Sequence, residues 1–396
     1  MEGTLDDHAP VVSPFVPASR QSVTASGALR ARFPVFERGI AYLNAGTNGP
    51  VPANAARAAS AAVERQSCDG RSGSAFFEEL VERPAQALRA AAARWLGCEP
   101  GEVALTRSTT DGINVALAAF PLGRGDEVLT SDQEHPGLLA PLLQRARDRG
   151  FSVRTAPLRE LPNAVGPRTR LIACSHVSWV SGQMAPLAAL ADLGVPTLFD
   201  GAQALGALAV DVRGCGCTFY AAPAQKWLCG PNGIGFLYVR GDLGETLAPP
   251  WPGYQSLANP HDPSALQWHS GARRFDTLEP VPHDLAWALA ALEELEAEGR
   301  SRVLSAGPAL AEQAARSLRE EGLEVVPRGP STLVSVRLGE DAAQVVQALA
   351  AQRVIVRDVP GWGLLRASFG AWNDESDLAR LLEGLRRWRR RGSAAL

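Results

Sequence analysis

The sequence predicts an α/β protein: a large domain built on a mainly parallel sheet with helices on both faces, followed by a smaller α/β domain. Three observations predict it. From about Phe33 to Gly271, short apolar runs of strand length alternate with amphipathic segments of helix length. Several of those runs end in a polar or charged residue, as buried parallel strands do where they deliver a side chain to a ligand. Beyond them the chain restarts with a strong helix and a second, shorter set of helices and strands. The division expected is an N-terminal extension over 1–32, a large domain over 33–280 and a small domain over 281–396, with the N-terminal segment able to pack against the small domain.

The first 29 residues carry Asp6, Asp7, prolines and small polar residues, without a basic start or a long apolar core. That is a loosely ordered extension rather than a secretion signal. The spacing then predicts helices at Pro84–Trp95 and Pro136–Arg149, each opening on a proline that suits the first helical turn. Strands are expected at Glu127–Thr130, Arg170–Cys174 and Val195–Phe199, the last ending in Asp200. Leu285-Ala-Trp-Ala-Leu-Ala-Ala-Leu-Glu-Glu-Leu is a strong helix that links the domains. A helix over Ala309–Glu321, strands over Leu323–Val326 and Thr332–Leu338 and a helix over Asp341–Gln352 form the small domain. Two short strands, Arg353–Asp358 and Leu364–Gly370, and an amphipathic helix complete it.

Composition removes several functions. A net charge of −3 argues against an electrostatic nucleic-acid binder. No apolar run approaches the ~20 residues of a membrane span. The six cysteines are scattered and none forms a CxxC pair, so free thiols in a cytoplasmic protein are expected rather than disulfides or a metal site. The arginine run Arg386-Arg-Trp-Arg-Arg-Arg391 is the cationic last turn of a helix, complementing its dipole.

One residue stands out. Of the 39 strongly basic side chains, Lys226 is the only lysine. Codon bias toward arginine explains the depletion but not why this position escaped it. Arginine replaces lysine in ion pairs, but a guanidinium does not form an imine with an aldehyde and a primary amine does. Lys226 therefore has the chemistry of a Schiff-base lysine. Upstream, Asp200 closes a buried strand. A carboxylate at that place, able to hold a pyridine nitrogen protonated, together with a lysine amine, is what pyridoxal phosphate requires of its protein.

Asp200-Gly-Ala-Gln203 and Gln225-Lys226-Trp-Leu-Cys-Gly-Pro resemble the class V, fold-type I pyridoxal-phosphate enzymes, a group holding cysteine desulfurases, selenocysteine lyases, cysteine/cystine C–S lyases and isopenicillin N epimerase. The likeness runs from about Ala41 to Leu381. It implies the fold-type I transferase architecture with a seven-stranded sheet, a homodimer, and pyridoxal 5'-phosphate held on Lys226. It implies further that Asp200 serves the ring nitrogen, that His135 in Glu134-His135-Pro stacks on the ring, and that Gln203 reaches the phenolic oxygen. Ser108, Thr109 and Thr110 open a helix whose free N–H groups suit the phosphate; an isolated Ser-Thr-Thr would equally be a plain helix cap. Arg366 would bind the substrate carboxylate through two parallel hydrogen bonds, with Arg357 either assisting or standing as a solvated strand residue. Asn44 and Ala45 lie in a segment resembling the one that crosses the substrate entrance.

Departures narrow the reaction. The desulfurases carry a cysteine on a loop just before the carboxylate-binding arginine; here the stretch is Asp358-Val-Pro-Gly-Trp362-Gly-Leu-Leu. Pro223 and Gln225 stand where serine and histidine are common before the lysine, Trp179 replaces an asparagine, and a threonine reaching the neighbouring subunit's phosphate is not evident near Thr277. The expected activity is β-elimination from cysteine, cystine or an S-substituted cysteine, with Lys226 as base. Transamination or epimerisation by the same lysine and cofactor, and a non-catalytic module keeping the fold, are the alternatives.

Overall fold

Alternation along each strand sorts the large sheet's two faces. The computed structural model describes residues 27–393. Twelve strands follow in order: β1 Ala41–Tyr42, β2 Val103–Thr106, β3 Glu127–Ser131, β4 Ser152–Ala156, β5 Thr169–Ser175, β6 Thr197–Asp200, β7 Phe219–Pro223, β8 Gly235–Val239, β9 Leu333–Arg337, β10 Val354–Ile355, β11 Arg357–Val359 and β12 Leu364–Ser368. The seven-stranded sheet has the order β2-β8-β7-β6-β5-β3-β4, and β8 alone runs against the others. Leu105, Leu129, Ile172, Phe199 and Tyr220 point into one core; their neighbours Ala104, Val128, Leu171, Leu198 and Phe219 point into another. That two-sided burial is why these strands are continuously apolar. The edge strand β4, Ser-Val-Arg-Thr-Ala, is half exposed.

Helices Ala53–Asp69, Arg83–Leu96 and Pro282–Glu298 cover the first face, and Thr109–Ala119 and Pro136–Arg149 the second. The helix expected to open on Pro84 does not start there. A π-helical run, Ala75–Glu82, winds straight into Arg83–Leu96. Helix Pro282–Glu298 buries Leu285, Ala288, Leu292 and Leu295 in the first core and ends at Gly299, which takes a left-handed φ of 93°.

In the small domain, β11, β12 and β9 form an antiparallel sheet backed by helices Arg300–Glu320, Ala342–Ala351 and Glu375–Ser393. Three expectations are corrected. The strand expected at Arg353–Asp358 divides at Val356 into β10, which pairs with β1, and β11, which pairs with β12. The first helix begins at Arg300 rather than Ala309, carrying Pro308 inside it. The strand expected at Leu323–Val326 is reduced to a single bridge, Val325 to Val336; Pro327, without an N–H, ends the ladder.

The expected extension over 1–32 lies outside the described residues up to residue 26. Gly27–Arg30 form a helical turn with Leu29 buried, and Arg30 pairs with Asp377 at 2.7 Å. β1 runs parallel to β10, placing Ala41 and Leu43 in the small domain's core. The C-terminal arginines are paired locally: Arg386 with Glu321 at 2.5 Å and Arg387 with Glu383 at 2.8 Å. Among the described residues, no helix is long and apolar enough to cross a membrane.

Candidate active site

A cavity of about 190 Å³ opens at the C-terminal ends of the parallel strands, where the two domains meet. It gathers Gly46, Thr47, Ser108, Thr109, Thr110, His135, Trp179, Asp200, Gln203, Gln225, Lys226, Arg357 and Arg366 among its lining. Ten of the twelve residues expected at the site line it; Asn44 and Ala45 do not. The turn after β1 uses them as scaffold: the Asn44 side chain accepts a hydrogen bond from Thr47 Oγ1 at 2.8 Å, and Ala45 is fully buried. Gly46 and Thr47 present themselves instead.

Lys226 follows β7 on a tight turn, with Trp227 and Leu228 buried behind it. Lys226 is half-buried in the cavity wall, and desolvation pulls its pKa down to about 8 although Asp200 opposes the shift and Arg366 and Arg357 add to it. A substantial neutral fraction near neutral pH is what a nucleophilic amine needs. Asp200 ends β6, its carboxylate accepting from Ala202 N–H at 2.8 Å; burial raises its pKa and Lys226 lowers it. Gly201 is glycine for a steric reason. A Cβ there would lie 2.0 Å from the Tyr220 ring, and Tyr220 in turn meets His176 Nδ1 at 2.9 Å.

The segment Gly46–Gly49 presses against the lysine turn. Gly49 N–H donates to Gln225 O at 2.7 Å, and a Cβ on Gly49 would stand 2.1 Å from Lys226 O. Gln203 is anchored on both sides: Nε2 donates to Gly46 O at 2.8 Å and Oε1 accepts from Trp227 Nε1 at 3.1 Å. Its second N–H and the remaining lone pair of Oε1 are left to address a ligand.

His135 caps helix Pro136–Arg149, Nδ1 accepting from Gly137 N–H at 2.9 Å, which fixes the ring plane. Burial, then Lys226 and the two arginines, depress its pKa to about 4, so the ring is neutral at pH 7. Trp179 stands edge-on to it at 5.0 Å. Beneath, Glu134 ties two strand ends together, accepting from Ser175 N–H at 2.9 Å and Ser175 Oγ at 2.6 Å and from the Ser131 hydroxyl. Burial lifts its carboxyl to about 7. The sequence marked Glu134 only as the neighbour of His135; a glutamate next to a strand end is the one signal that was available.

Ser108 is a plain N-cap, its Oγ accepting from Asp111 N–H at 3.1 Å. Thr109, Thr110 and the unpaired N–H groups of the helix's first turn remain for an anion. Thr277 donates to Asp111 of the same chain, and Asp111 also pairs with Arg107 at 2.9 Å. Across the cavity, Arg366 is fully buried. Nη1 donates to Trp179 O at 2.7 Å, while Nε has no partner. Burial, then Arg357, lowers its pKa to about 9. A buried guanidinium with an unpartnered N–H, on a residue that lines the cavity, has the chemistry to accept a carboxylate. Amine, buried carboxylate, fixed neutral ring and helix N-terminus form a donor set that fits pyridoxal phosphate, with Arg366 placed for an amino acid beside it.

Comparison with known proteins agrees. The model of the family "Aminotransferase class-V" matches residues 41–381. A Klebsiella pneumoniae cysteine desulfurase is 31% identical over 338 residues, covering 77% of this chain and 82% of that protein. An isopenicillin N epimerase of Amycolatopsis lactamdurans is 31% identical over 383 residues, 88% of this chain and 94% of its own. Among solved structures, the cystine C–S lyase C-DES, in complex with its reaction product cysteine persulfide, superposes with a TM-score of 0.83 at 28% identity, over 89% of this chain and 98% of that one.

Proposed function

This chain belongs to the class-V aminotransferase family, and on that premise we propose that it is a pyridoxal-phosphate-dependent carbon–sulfur lyase acting on cysteine, cystine or an S-substituted cysteine. Lys226, Asp200, His135, Gln203, Gln225 and the Ser108–Thr110 turn hold the cofactor, which supplies a sink for the electron pair left at the substrate α-carbon. Arg366 grips the substrate carboxylate and sets which bond at the α-carbon faces the ring. Lys226 Nζ takes the α-proton; its lowered pKa matches that task. Loss of the Cβ–S bond releases a thiol, persulfide or sulfide and leaves aminoacrylate, which hydrolyses to pyruvate and ammonia.

The observation that carries the lyase reading is the β11–β12 hairpin. Its connection, residues 360–363, has no cysteine, and among the described residues no cysteine lines the cavity. A persulfide-accepting nucleophile is thus missing where sulfur transfer needs one, while elimination needs none. The likeness to C-DES supports the same reaction. Epimerisation or transamination is the second reading, supported by the isopenicillin N epimerase relative.

We further infer a cytoplasmic homodimer. Free thiols support the compartment. An open groove of about 900 Å³ lined by Phe76, Phe77, Tyr254 and Leu257 supports self-association. The decisive experiment is pyruvate release from cofactor-loaded protein given L-cystine, L-cysteine and an S-substituted cysteine. Pyruvate that vanishes in Lys226→Ala establishes elimination. Pyruvate absent from all three, with the cofactor bound, sinks it in favour of the second reading.

A further inference from the structure

Cys215, Gly216 and Cys217 close the loop that leads into β7, outside the lining of the cavity. The loop is tightly built. Cys215 N–H donates to Asp211 O, Gly216 N–H to Arg213 O and Cys217 N–H to Val212 O, each at 3.0 Å. Gly214 N–H donates to Asp211 Oδ1 at 2.8 Å. A Cβ on Gly214 would lie 2.3 Å from the Asp211 carboxylate, which would have to shift. Gly216 takes a left-handed φ of 65°, which turns the chain back between the two cysteines.

The consequence is a thiol pair. Cys215 Sγ lies 3.1 Å from Cys217 Sγ. A disulfide needs about 2.05 Å, so a shift of about 1 Å by the two side chains closes it. The two thiols are not equivalent. Cys215 is half-buried and within reach of solvent, whereas Cys217 is fully buried. Either thiol can donate across this contact; the contact with Cys217 holds the Cys215 thiol below its usual range, and the same contact together with burial pushes Cys217 up. That asymmetry distinguishes an attacking thiol from one that resolves.

We propose that Cys215-Gly216-Cys217 is a reversible thiol–disulfide exchange site whose oxidant is a small-molecule disulfide. Cys215 thiolate attacks one sulfur of the external disulfide, whose S–S bond breaks and releases one thiol. Cys217, giving up its proton, attacks Cys215 Sγ of the mixed disulfide and releases the second thiol. Two protein thiols are oxidised by two electrons and one external disulfide is reduced to two thiols, so no further reagent is required. The remaining cysteines do not compete for the bridge: burial pushes Cys98 up to about 12 and raises Cys174 and Cys229 well above the usual range, and Cys68 is exposed on a helix without a thiol neighbour.

The test uses the cofactor-loaded full chain, incubated with oxidised glutathione, alkylated and mapped by mass spectrometry. The expected result is loss of alkylation at Cys215 and Cys217 together, a bridged peptide lighter by two hydrogens, and recovery of both thiols with dithiothreitol. Cys217→Ser should trap glutathione on Cys215, and Cys215→Ser should abolish the bridge while leaving catalytic turnover unchanged. Cys68 serves as the internal control for reagent strength. Glutathione on Cys68 with Cys215 and Cys217 both still alkylated, or a bridge that includes Cys98, overturns the proposal. Because the readout is a mass, it is independent of the lyase reaction.

Discussion

Arg357 and Arg366 are directly opposed across the antiparallel β11–β12 ladder, and both guanidiniums reach Thr47 Oγ1 at 3.4 Å. Among the described residues neither makes an ion pair with a carboxylate. Like charges opposed on a sheet cost stability, and an anion facing both would offset that cost.

That relationship sets the first prediction. Arg366→Lys loses the planar fork, and KM for the amino acid should rise about 10- to 100-fold, the equivalent of one charge-assisted hydrogen bond. Arg357→Ala should raise KM less and leave kcat nearly unchanged. Steady-state kinetics on both variants checks this; equal effects would make Arg357 a full partner in carboxylate binding.

Glu134 predicts a pH effect on stability. Its folded pKa, about 7, is raised above the carboxylate's ordinary value of 4.5. The folded state therefore holds more protons than the unfolded state between those values, and this group's contribution falls as pH rises from about 4.5 to 7. His135 and His176, both depressed to about 4, act in the opposite sense below 6.5. Denaturant unfolding across pH 5 to 7 should show a smaller downward contribution in Glu134→Gln than in the parent. An unchanged difference would place the titration elsewhere.

Gly49→Ala tests the fit of the lysine turn. The added methyl meets Lys226 O at 2.1 Å, and backbone on both sides cannot swing away as a side chain can. Cofactor absorbance per subunit and turnover should both drop sharply, with the melting temperature lowered by only a few degrees, because the clash is local.

Arg89 and Asp276 form a buried pair at 2.6 Å that also receives Leu105 N–H at 2.9 Å. Arg89→Met alone should cost about 3–5 kcal/mol by leaving a buried carboxylate, whereas Arg89→Met with Asp276→Leu should cost much less. A double-mutant cycle by chemical denaturation measures the coupling. Additive losses would show that the two side chains act independently.

Lys226 and Asp200 were legible in the sequence because each is locally marked: one is the only lysine, the other closes an apolar run of strand length. The sheet was legible for the same reason, since burial on both faces leaves no polar alternation to confuse. The turn after β1 was harder. Its motif pointed to Asn44 and Ala45, yet which side of the turn faces the cavity depends on the β1–β10 pairing, made with residues far along the chain, as well as on the local Asn44–Thr47 bond. The proximity of Cys215 and Cys217 escaped notice because it depends on Gly216's backbone rather than on spacing alone. Helix Arg300–Glu320 was read short since Pro308 is an expected breaker; the structure accommodates it inside the helix.

The pairing of β1 with β10 has a consequence for biosynthesis. The segment that supplies β1 leaves the ribosome before either domain exists, and the strand it joins, β10, is made only after the whole large sheet. Until then its apolar residues wait without a partner, and the small domain's core is short of Ala41 and Leu43. Closure of this long loop therefore follows synthesis of the large sheet. A chain halted before Val354 would leave the early segment undocked however well the large sheet had formed.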